Sequence, residues 1–236
     1  MKKMMFKSLI NVNLYKINFK ELLKNYTILI IGLFIMSFGV ALSVKSDLGT
    51  TPISCIPNVL SFAYPLSLGT ITIIFNMLLI AIQIILLRSR FQRIQLMQIV
   101  LTTIFGYFID YALGILTFLT PTTELDKWII CIISCFVIAV GVFLEVNSKA
   151  VVLPGEGVSL AVKQVTNIEF GKIKTMFDTS NVVIGIILSL ALFGTFKGIG
   201  LGTILAGIVV GYIVRFYRNI VVKLLNKMGH TKKEEQ

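Results

Sequence analysis

The most constraining feature of this chain is a stretch of apolar sequence that occurs twice, 102 residues apart. The pattern Gly-Val-x-Leu-x-Val-x-Ser begins at Gly39 and again at Gly141. With the same shift and no gap, Pro52 falls on Pro154. Leucine and isoleucine match easily in apolar sequence, whereas glycine, serine and proline do not. An internal repeat of this kind is typical of transporters built from inverted or parallel repeats.

Composition restricts the fold class to helical membrane proteins. The chain has 236 residues, of which 56% are hydrophobic, and its mean hydropathy is +0.90. Its apolar stretches are long enough to cross a hydrocarbon core of about 30 Å as helices. The alternating strands of about ten residues that form a transmembrane barrel are not visible. The prediction is therefore an all-α, polytopic helical membrane protein with two homologous repeats.

The hydrophobic segments form two groups of four. They cover residues 26–45, 50–66, 69–87, 95–119, 128–147, 153–168, 173–194 and 198–222. The predicted organisation is a basic amphipathic N-terminal segment (1–25), membrane repeat 1 (26–119), an external linker (120–127), membrane repeat 2 (128–222) and a cytoplasmic tail (223–236).

The second segment of each group is poorly suited to crossing a membrane. Residues 50–66 contain three prolines, and residues 153–168 contain Glu156 and Lys163. A charged residue at the centre of a span costs roughly 2.5–3.5 kcal/mol. Irregular backbone is tolerated at that depth where protein buries it or where it lines water. Both segments are therefore predicted to be broken or re-entrant, which leaves about six crossings; eight crossings is the alternative.

Charged residues discriminate between these two topologies. The net charge is +11, and the basic residues cluster in the N-terminal segment, a loop at 88–93 and the C-terminal region, whereas the linker holds Glu124 and Asp126. Six crossings put every basic cluster on the cytoplasmic side, as the positive-inside rule requires. Each repeat then has three crossings, so the two copies are inverted. Eight crossings would make them parallel.

The same charges predict where the protein resides and what it contacts. We expect a multi-pass protein of the bacterial cytoplasmic membrane with both termini cytoplasmic and basic residues against anionic inner-leaflet lipids. Nucleic acid is not an expected partner, because no basic folded domain lies outside the membrane. The chain is small for a stand-alone transporter, so a homodimer is one arrangement that the sequence leaves open.

Two short motifs resemble a known group of proteins. The sequence Lys-Ser-Asp-Leu-Gly-Thr-Thr-Pro at 45–52, followed by Leu-Gly-Thr at 68–70, resembles the YczE/YyaS/YitT group of bacterial integral membrane proteins, especially its YczE branch. Gly-Leu-Gly-Thr at 200–203 fits the same group. The resemblance implies an integral membrane protein and fixes no substrate. In that branch an Asp commonly stands two residues after each motif proline, where this chain has Ser54 and Glu156.

Polar residues inside the apolar segments are the candidates for binding a substrate or an ion. They are Ser54, Asn76, Asp110, Glu156, Lys174 and Asp178. The repeat aligns Asn76 with Asp178, so these two could line a central site or form helix–helix hydrogen bonds. Lys174 stands four residues before Asp178, which permits an ion pair.

Two of these candidates have alternative interpretations. Glu156 could bind a proton or a cation, or it could cap the start of a short helix. Asp110 could take part in gating or partner a cation.

Catalytic and metal-binding patterns are not found. The chain lacks a nucleophile elbow and an HExxH motif, and its single histidine is His230. Cys55, Cys131 and Cys135 are predicted to be buried free thiols. We therefore expect no enzyme activity, no cofactor and no metal.

Two functions remain as hypotheses. The first is a secondary transporter or permease for a small polar solute, coupled to protons or sodium, in which one repeat rocks against the other. The second is an accessory or scaffolding membrane protein without transport activity, in which glycines of the last helix, among them Gly207 and Gly211, form a partner surface.

Overall fold

The computed structural model describes residues 19–234, with side-chain environments for residues 19–220. Every regular element in this range is helical, which confirms the prediction of an all-α, polytopic helical membrane protein. The eight α-helices of this range are α1 (Phe19–Lys45), α2 (Pro52–Ala63), α3 (Leu68–Leu87), α4 (Met97–Ile115), α5 (Glu124–Asn147), α6 (Pro154–Thr166), α7 (Phe170–Phe193) and α8 (Leu201–Glu234). Short 3-10 turns occur at Arg88–Arg90, Arg93–Leu96 and Leu116–Phe118.

Helix length separates six long helices from two short ones. In the described residues, α1, α3, α4, α5, α7 and α8 are long and apolar enough to cross a membrane. The short helices α2 and α6 have 12 and 13 residues. At about 1.5 Å per residue they are roughly 20 Å long, less than the hydrocarbon core of about 30 Å. These two helices lie in the segments predicted to be broken.

Three helix boundaries differ from the predicted domain boundaries. Helix α1 begins at Phe19 rather than Tyr26, because the Lys-, Glu- and Leu-containing sequence between them has no glycine or proline to interrupt a helix. Most of the predicted amphipathic segment 1–25 lies outside the described residues. Helix α5 begins at Glu124, inside the predicted linker, because Thr123 and Asp126 form a reciprocal capping box. Helix α8 continues past residue 222 to Glu234.

The repeated serine ends the first long helix of each half in the same way. The hydroxyl of Ser46 donates to the carbonyl of Ser43 and accepts from the amide of Leu48. The hydroxyl of Ser148 makes the equivalent bonds to Glu145 and Ala150. The next residues, Asp47 and Lys149, have φ values of 59° and 56°. The repeated sequence pattern therefore produces a repeated turn.

Helices α1 and α5 form the central crossing and run antiparallel. A Cβ on Gly39 would lie 2.8 Å from the amide nitrogen of Ile138, and a Cβ on Gly141 would lie 2.5 Å from the Cβ of Met36. The shift of 102 residues maps position 36 onto 138 and position 39 onto 141. The contact between positions 39 and 138 therefore has its counterpart in the contact between positions 36 and 141. The Nζ of Lys127 at the start of α5 lies 3.4 Å from the carboxylate of Asp47 just after α1.

The two short helices pack against long helices of the opposite half, whereas α4 and α8 pack within their own halves. The short helix α2 packs against α7, and the short helix α6 packs against α3. Helix α4 packs on α1, and α8 packs on α5. The largest buried apolar cluster is built mainly by α1 and α4, with members from α3, α5 and the chain before α6. It contains Leu29, Leu33, Met36, Val40, Leu68, Leu101, Phe105, Ile109, Ile138 and Leu153. The packing of each short helix against the opposite half brings its start to the interface between the halves.

Candidate functional site

The two short helices begin next to each other. Each starts at a proline, Pro52 or Pro154, whose fixed φ and missing amide hydrogen suit the first helical position. A Cβ on Gly155 would lie 2.8 Å from Cδ1 of Ile53 and 4.0 Å from Cε1 of Phe177. A glycine at position 155 therefore lets the starts of α2 and α6 and the side of α7 converge.

An ion-pair cluster lies at this junction. The Nζ of Lys174 lies 2.8 Å from Oδ1 of Asp178 and 3.5 Å from Oε1 of Glu156. The Lys174–Asp178 pair joins successive turns of α7, and Glu156 reaches the same ammonium from α6. Each of the three side chains is about a quarter exposed, at 27%, 25% and 24%. The structure thus brings together three of the six predicted site residues.

A fourth charged residue, Glu145, was missed by the sequence analysis. It lies in the last turns of α5 and is 2% exposed. Its Oε1 accepts a hydrogen bond of 2.8 Å from the amide of Leu153, the residue before α6. An acidic residue within the apolar run that ends α5 was the available signal.

The start of α6 is also tied to α3 and α4 by two buried glutamines. The Nε2 of Gln83 donates to Oε1 of Gln98 at 3.0 Å and to the carbonyl of Pro154 at 3.4 Å, and Gln98 returns a bond of 3.3 Å. The two side chains are 0% and 1% exposed. A Cβ on Gly157 would lie 2.5 Å from Oε1 of Gln83, so this glycine makes room for the amide.

The hydrogen bonds of the other three predicted site residues go elsewhere. The hydroxyl of Ser54 accepts from Thr51, within the start of α2. The amide of Asn76 donates to the carbonyl of Thr72, one turn earlier in α3. The carboxylate of Asp110 accepts from the hydroxyl of Ser67 at 2.6 Å and the amide of Gly69 at 2.8 Å. Asp110 therefore caps the start of α3.

The cysteines are buried and free, in agreement with the sequence prediction. The thiol of Cys55 contacts the carbonyls of Pro52 and Asn181 at 3.0 and 3.2 Å, which links α2 to α7. Within the part of the chain that the structure describes, no three His, Cys, Asp or Glu side chains are grouped so as to hold a metal ion.

Comparison with known proteins assigns the family. The model of DUF6198, a family of unknown function, matches residues 23–219. The chain belongs to this family. Similar relatives of this DUF6198 member are the uncharacterized protein YyaS of Bacillus subtilis strain 168, 26% identical over 193 residues covering 81% of this chain and 90% of the relative, and an uncharacterized protein of Haemophilus influenzae Rd, 25% identical over 207 residues covering 85% and 86%. The match to YyaS confirms the predicted resemblance. No solved structure matches.

The two motifs that indicated the resemblance contact each other in this DUF6198 member. The amide of Gly202 donates to the carbonyl of Leu48 at 2.8 Å, and the hydroxyl of Thr203 accepts from the amide of Thr50 at 3.2 Å. Gly49 has a φ of 100°, which favours glycine, and packs against Thr203. The motifs thus hold the segment between α1 and α2 against the start of α8.

Proposed function

We propose that this DUF6198 member is a small secondary carrier of the bacterial cytoplasmic membrane, rather than an enzyme, and that it moves a small polar solute. Glu156, Lys174 and Asp178 form its central binding site. Two carboxylates contact one ammonium there, so acidic groups outnumber basic ones. A proton or another cation is the natural coupling ion for such a site.

The antiparallel α1–α5 crossing supports an inverted repeat. A contact in which position i of one unit meets position j of the other, and j meets i, is the mark of two-fold symmetry. The pairs Gly39–Ile138 and Met36–Gly141 have this form. Because the two helices run in opposite directions, the two-fold axis lies in the membrane plane. That is the architecture of many carriers.

The position of the charged cluster supports a central site. In inverted-repeat carriers, substrate and ion sites lie near the membrane midplane, where the starts of broken helices meet. Here α2 and α6 begin beside each other, and Glu156 is in the first turn of α6. Asp178 lies two turns into α7, roughly 12 Å from its start at about 1.5 Å per residue.

The observation that carries this proposal is the unequal closure of the two halves. In the first half, α4 packs closely on α3, where a Cβ on Gly106 would lie 2.7 Å from the carbonyl of Gly69. The shift of 102 residues maps Gly69 onto Gly171. The motif Gly-Tyr-x-x-Asp at 106–110 matches Gly-Tyr-x-x-Arg at 211–215, at a shift of 105 residues, so Gly211 is the counterpart of Gly106. In the described residues, no atom of another element lies within 4 Å of a Cβ on Gly171 or Gly211. One half is closed where the other is open, as alternating access requires.

The charges at this seam differ between the halves in a consistent way. Asp110 of α4 caps the start of α3 through Ser67. The Gly-Tyr motif places Arg215 where the first half has Asp110, and the 102-residue shift places Glu169 where the first half has Ser67. If α8 closed on α7 as α4 closes on α3, this arginine and this glutamate would face each other as an ion pair. The open seam therefore has complementary charges for closing.

The scaffolding alternative has less support. It requires the glycines of the last helix to face a partner. A Cβ on Gly202 would lie 2.7 Å from the carbonyl of Leu48, and one on Gly207 would lie 3.0 Å from the ring of Pro52. These two glycines serve packing within the chain, and Gly211 is left as the open position.

The orientation in the membrane is tested by cysteine labelling. The three native cysteines are replaced, and Ser89→Cys or Thr122→Cys is introduced, since both positions are exposed. We expect a membrane-impermeant thiol reagent to label position 122 in intact cells and position 89 only after permeabilisation. This outcome follows from the cytoplasmic location of the arginine loop under the positive-inside rule. The reverse pattern would contradict the inverted topology.

The carrier proposal is tested by measuring whether the two seams open and close. Spin labels are attached at positions 172 and 218, at the inner ends of α7 and α8, or at positions 66 and 111, at the α3–α4 seam. Distances between labels are measured by pulsed electron paramagnetic resonance in lipid nanodiscs over a range of pH. We expect two distance populations for each pair of labels. The distance between positions 172 and 218 should shorten as the distance between positions 66 and 111 lengthens.

A pair within one rigid helix is the control for label mobility. Positions 176 and 187 of α7 are both exposed and should give one distance in all conditions. A single distance for both seams in every condition would contradict the carrier and favour the scaffold. If the distance within the control pair changes together with the two seam distances, the seam changes would likewise not support the carrier.

A further inference from the structure

The ammonium group of Lys174 occupies a site that other cations could occupy. Two carboxylates from different helices approach it, Asp178 of α7 at 2.8 Å and Glu156 of α6 at 3.5 Å. The Nζ also lies 5.8 Å from the ring centroid of Phe177, within the range of a cation–π contact. Carboxylates together with an aromatic face are the chemistry that recognises ammonium ions.

The direction of the Lys174 side chain is unusual for a lysine near the start of a membrane helix. Lysine near a helix end ordinarily extends towards the headgroups and leaves its charge in water. Lys172, two residues earlier, is exposed. Lys174 is instead turned towards Glu156 and Asp178 and is 27% exposed. The acidic groups, rather than the membrane surface, determine where its charge lies.

We infer that Glu156, Asp178 and Phe177 form a recognition site for the primary ammonium group of a small solute, which Lys174 occupies in this conformation as a tethered substitute. The inference rests on the proposed function and specifies its substrate class. A solute ammonium displaces the lysine by taking over the same two carboxylates. The flexible four-carbon stem lets Lys174 leave.

Other ligand classes fit these groups less well. An anion would meet the two carboxylates of Glu156 and Asp178. A divalent metal ion takes several oxygen ligands. Within the described range, no three acidic, cysteine or histidine side chains are grouped to supply them. A primary ammonium has three N–H donors, and these three residues offer it two carboxylates and an aromatic ring.

The test removes the lysine and supplies its head group from solution. Lys174→Ala is purified in a nanodisc, and its thermal unfolding is measured with increasing propylammonium chloride. We expect the variant to be less stable than the wild type, because Glu156 and Asp178 lose their counter-ion. We expect propylammonium to raise its Tm in a saturable way, by on the order of 5 °C.

Two controls separate occupation of this site from a salt effect. Sodium chloride and tetramethylammonium chloride at equal concentration should raise the Tm much less, since neither offers an N–H donor. Lys172→Ala removes an exposed lysine from the same turn and should gain no more from propylammonium than the wild type. Adding Asp178→Asn to Lys174→Ala should abolish most of the rise.

Each result of this experiment bears on the inference. Recovery of folded Lys174→Ala only when propylammonium is present during purification supports it. If the alanine variant is not recovered in either condition, Lys174→Met, which keeps the apolar stem, replaces it in the titration. Equal responses to propylammonium and sodium, or no response of either variant, overturn the inference. Failure of the ammonium test leaves the expected spin-label distances unchanged. Failure of the ammonium site is therefore distinguishable from failure of the carrier.

Discussion

Replacing Gly141 with leucine is expected to prevent stable folding of this protein. A Cβ at position 141 would lie 2.5 Å from the Cβ of Met36 and 2.7 Å from the carbonyl of Gly32. Because the second contact is with backbone, the two helices must separate to admit any side chain. Overpacking costs about 1–3 kcal/mol where side chains can adjust. We expect more than about 3 kcal/mol here, measured as loss of the folded, monodisperse fraction and of Tm.

Gly114→Leu is the matched control for this substitution. Gly114 is also in a long helix, and no atom of another element in the described residues lies within 4 Å of a Cβ there. Leucine favours helix over glycine by roughly 0.5–1 kcal/mol. The control should therefore be as stable as the wild type or slightly more stable. Equal behaviour of the two variants would contradict the close α1–α5 crossing.

Replacing Gln83 with leucine is expected to destabilise the protein by about 2 kcal/mol and to loosen the start of α6. Gln83 and Gln98 are almost fully buried and bond to each other, and Gln83 also bonds to the carbonyl of Pro154. Removing one partner leaves the other amide buried without its main acceptor, which costs about 1–3 kcal/mol. The free energy of unfolding in mixed detergent micelles measures this loss.

The double variant Gln83→Leu with Gln98→Leu distinguishes the hydrogen bond from the shape of the side chain. Replacing both buried amides with apolar groups of similar size can be nearly neutral. We expect the double variant to recover at least half of the stability lost by the single one. A double variant as unstable as the sum of both singles would show that the amides act independently.

Much of the architecture was predictable from the sequence because the lengths of the apolar segments and their interruptions are local features. Pro52 and Pro154 mark the starts of the two short helices. The prolines of the first segment and the charged residues of the second explain why neither segment forms a full span. Ser46 and Ser148 end the preceding helices by hydrogen bonds within a few residues. The pairing of Lys174 with Asp178 followed from their spacing on one helix face.

The rest of the charged site was not predictable, because it depends on how distant segments fold back. Glu156 joins Lys174 only because α6 packs beside α7. Glu145 lies at the start of α6 because the chain between α5 and α6 turns back and presents the amide of Leu153 to it. Asp110 resembled a site residue in the sequence, but the packing of α4 on α3 makes it a helix cap.

The sequence by itself determined the membrane class, the six long helices and the two short ones, because apolar length, proline and charge act locally along the chain. Only the tertiary structure decided that each short helix packs in the opposite half, that Glu156 meets Lys174, and that α4 closes on α3 while Gly171 and Gly211 remain open. Those features depend on contacts between residues far apart in the chain, which one sequence does not encode as a visible pattern.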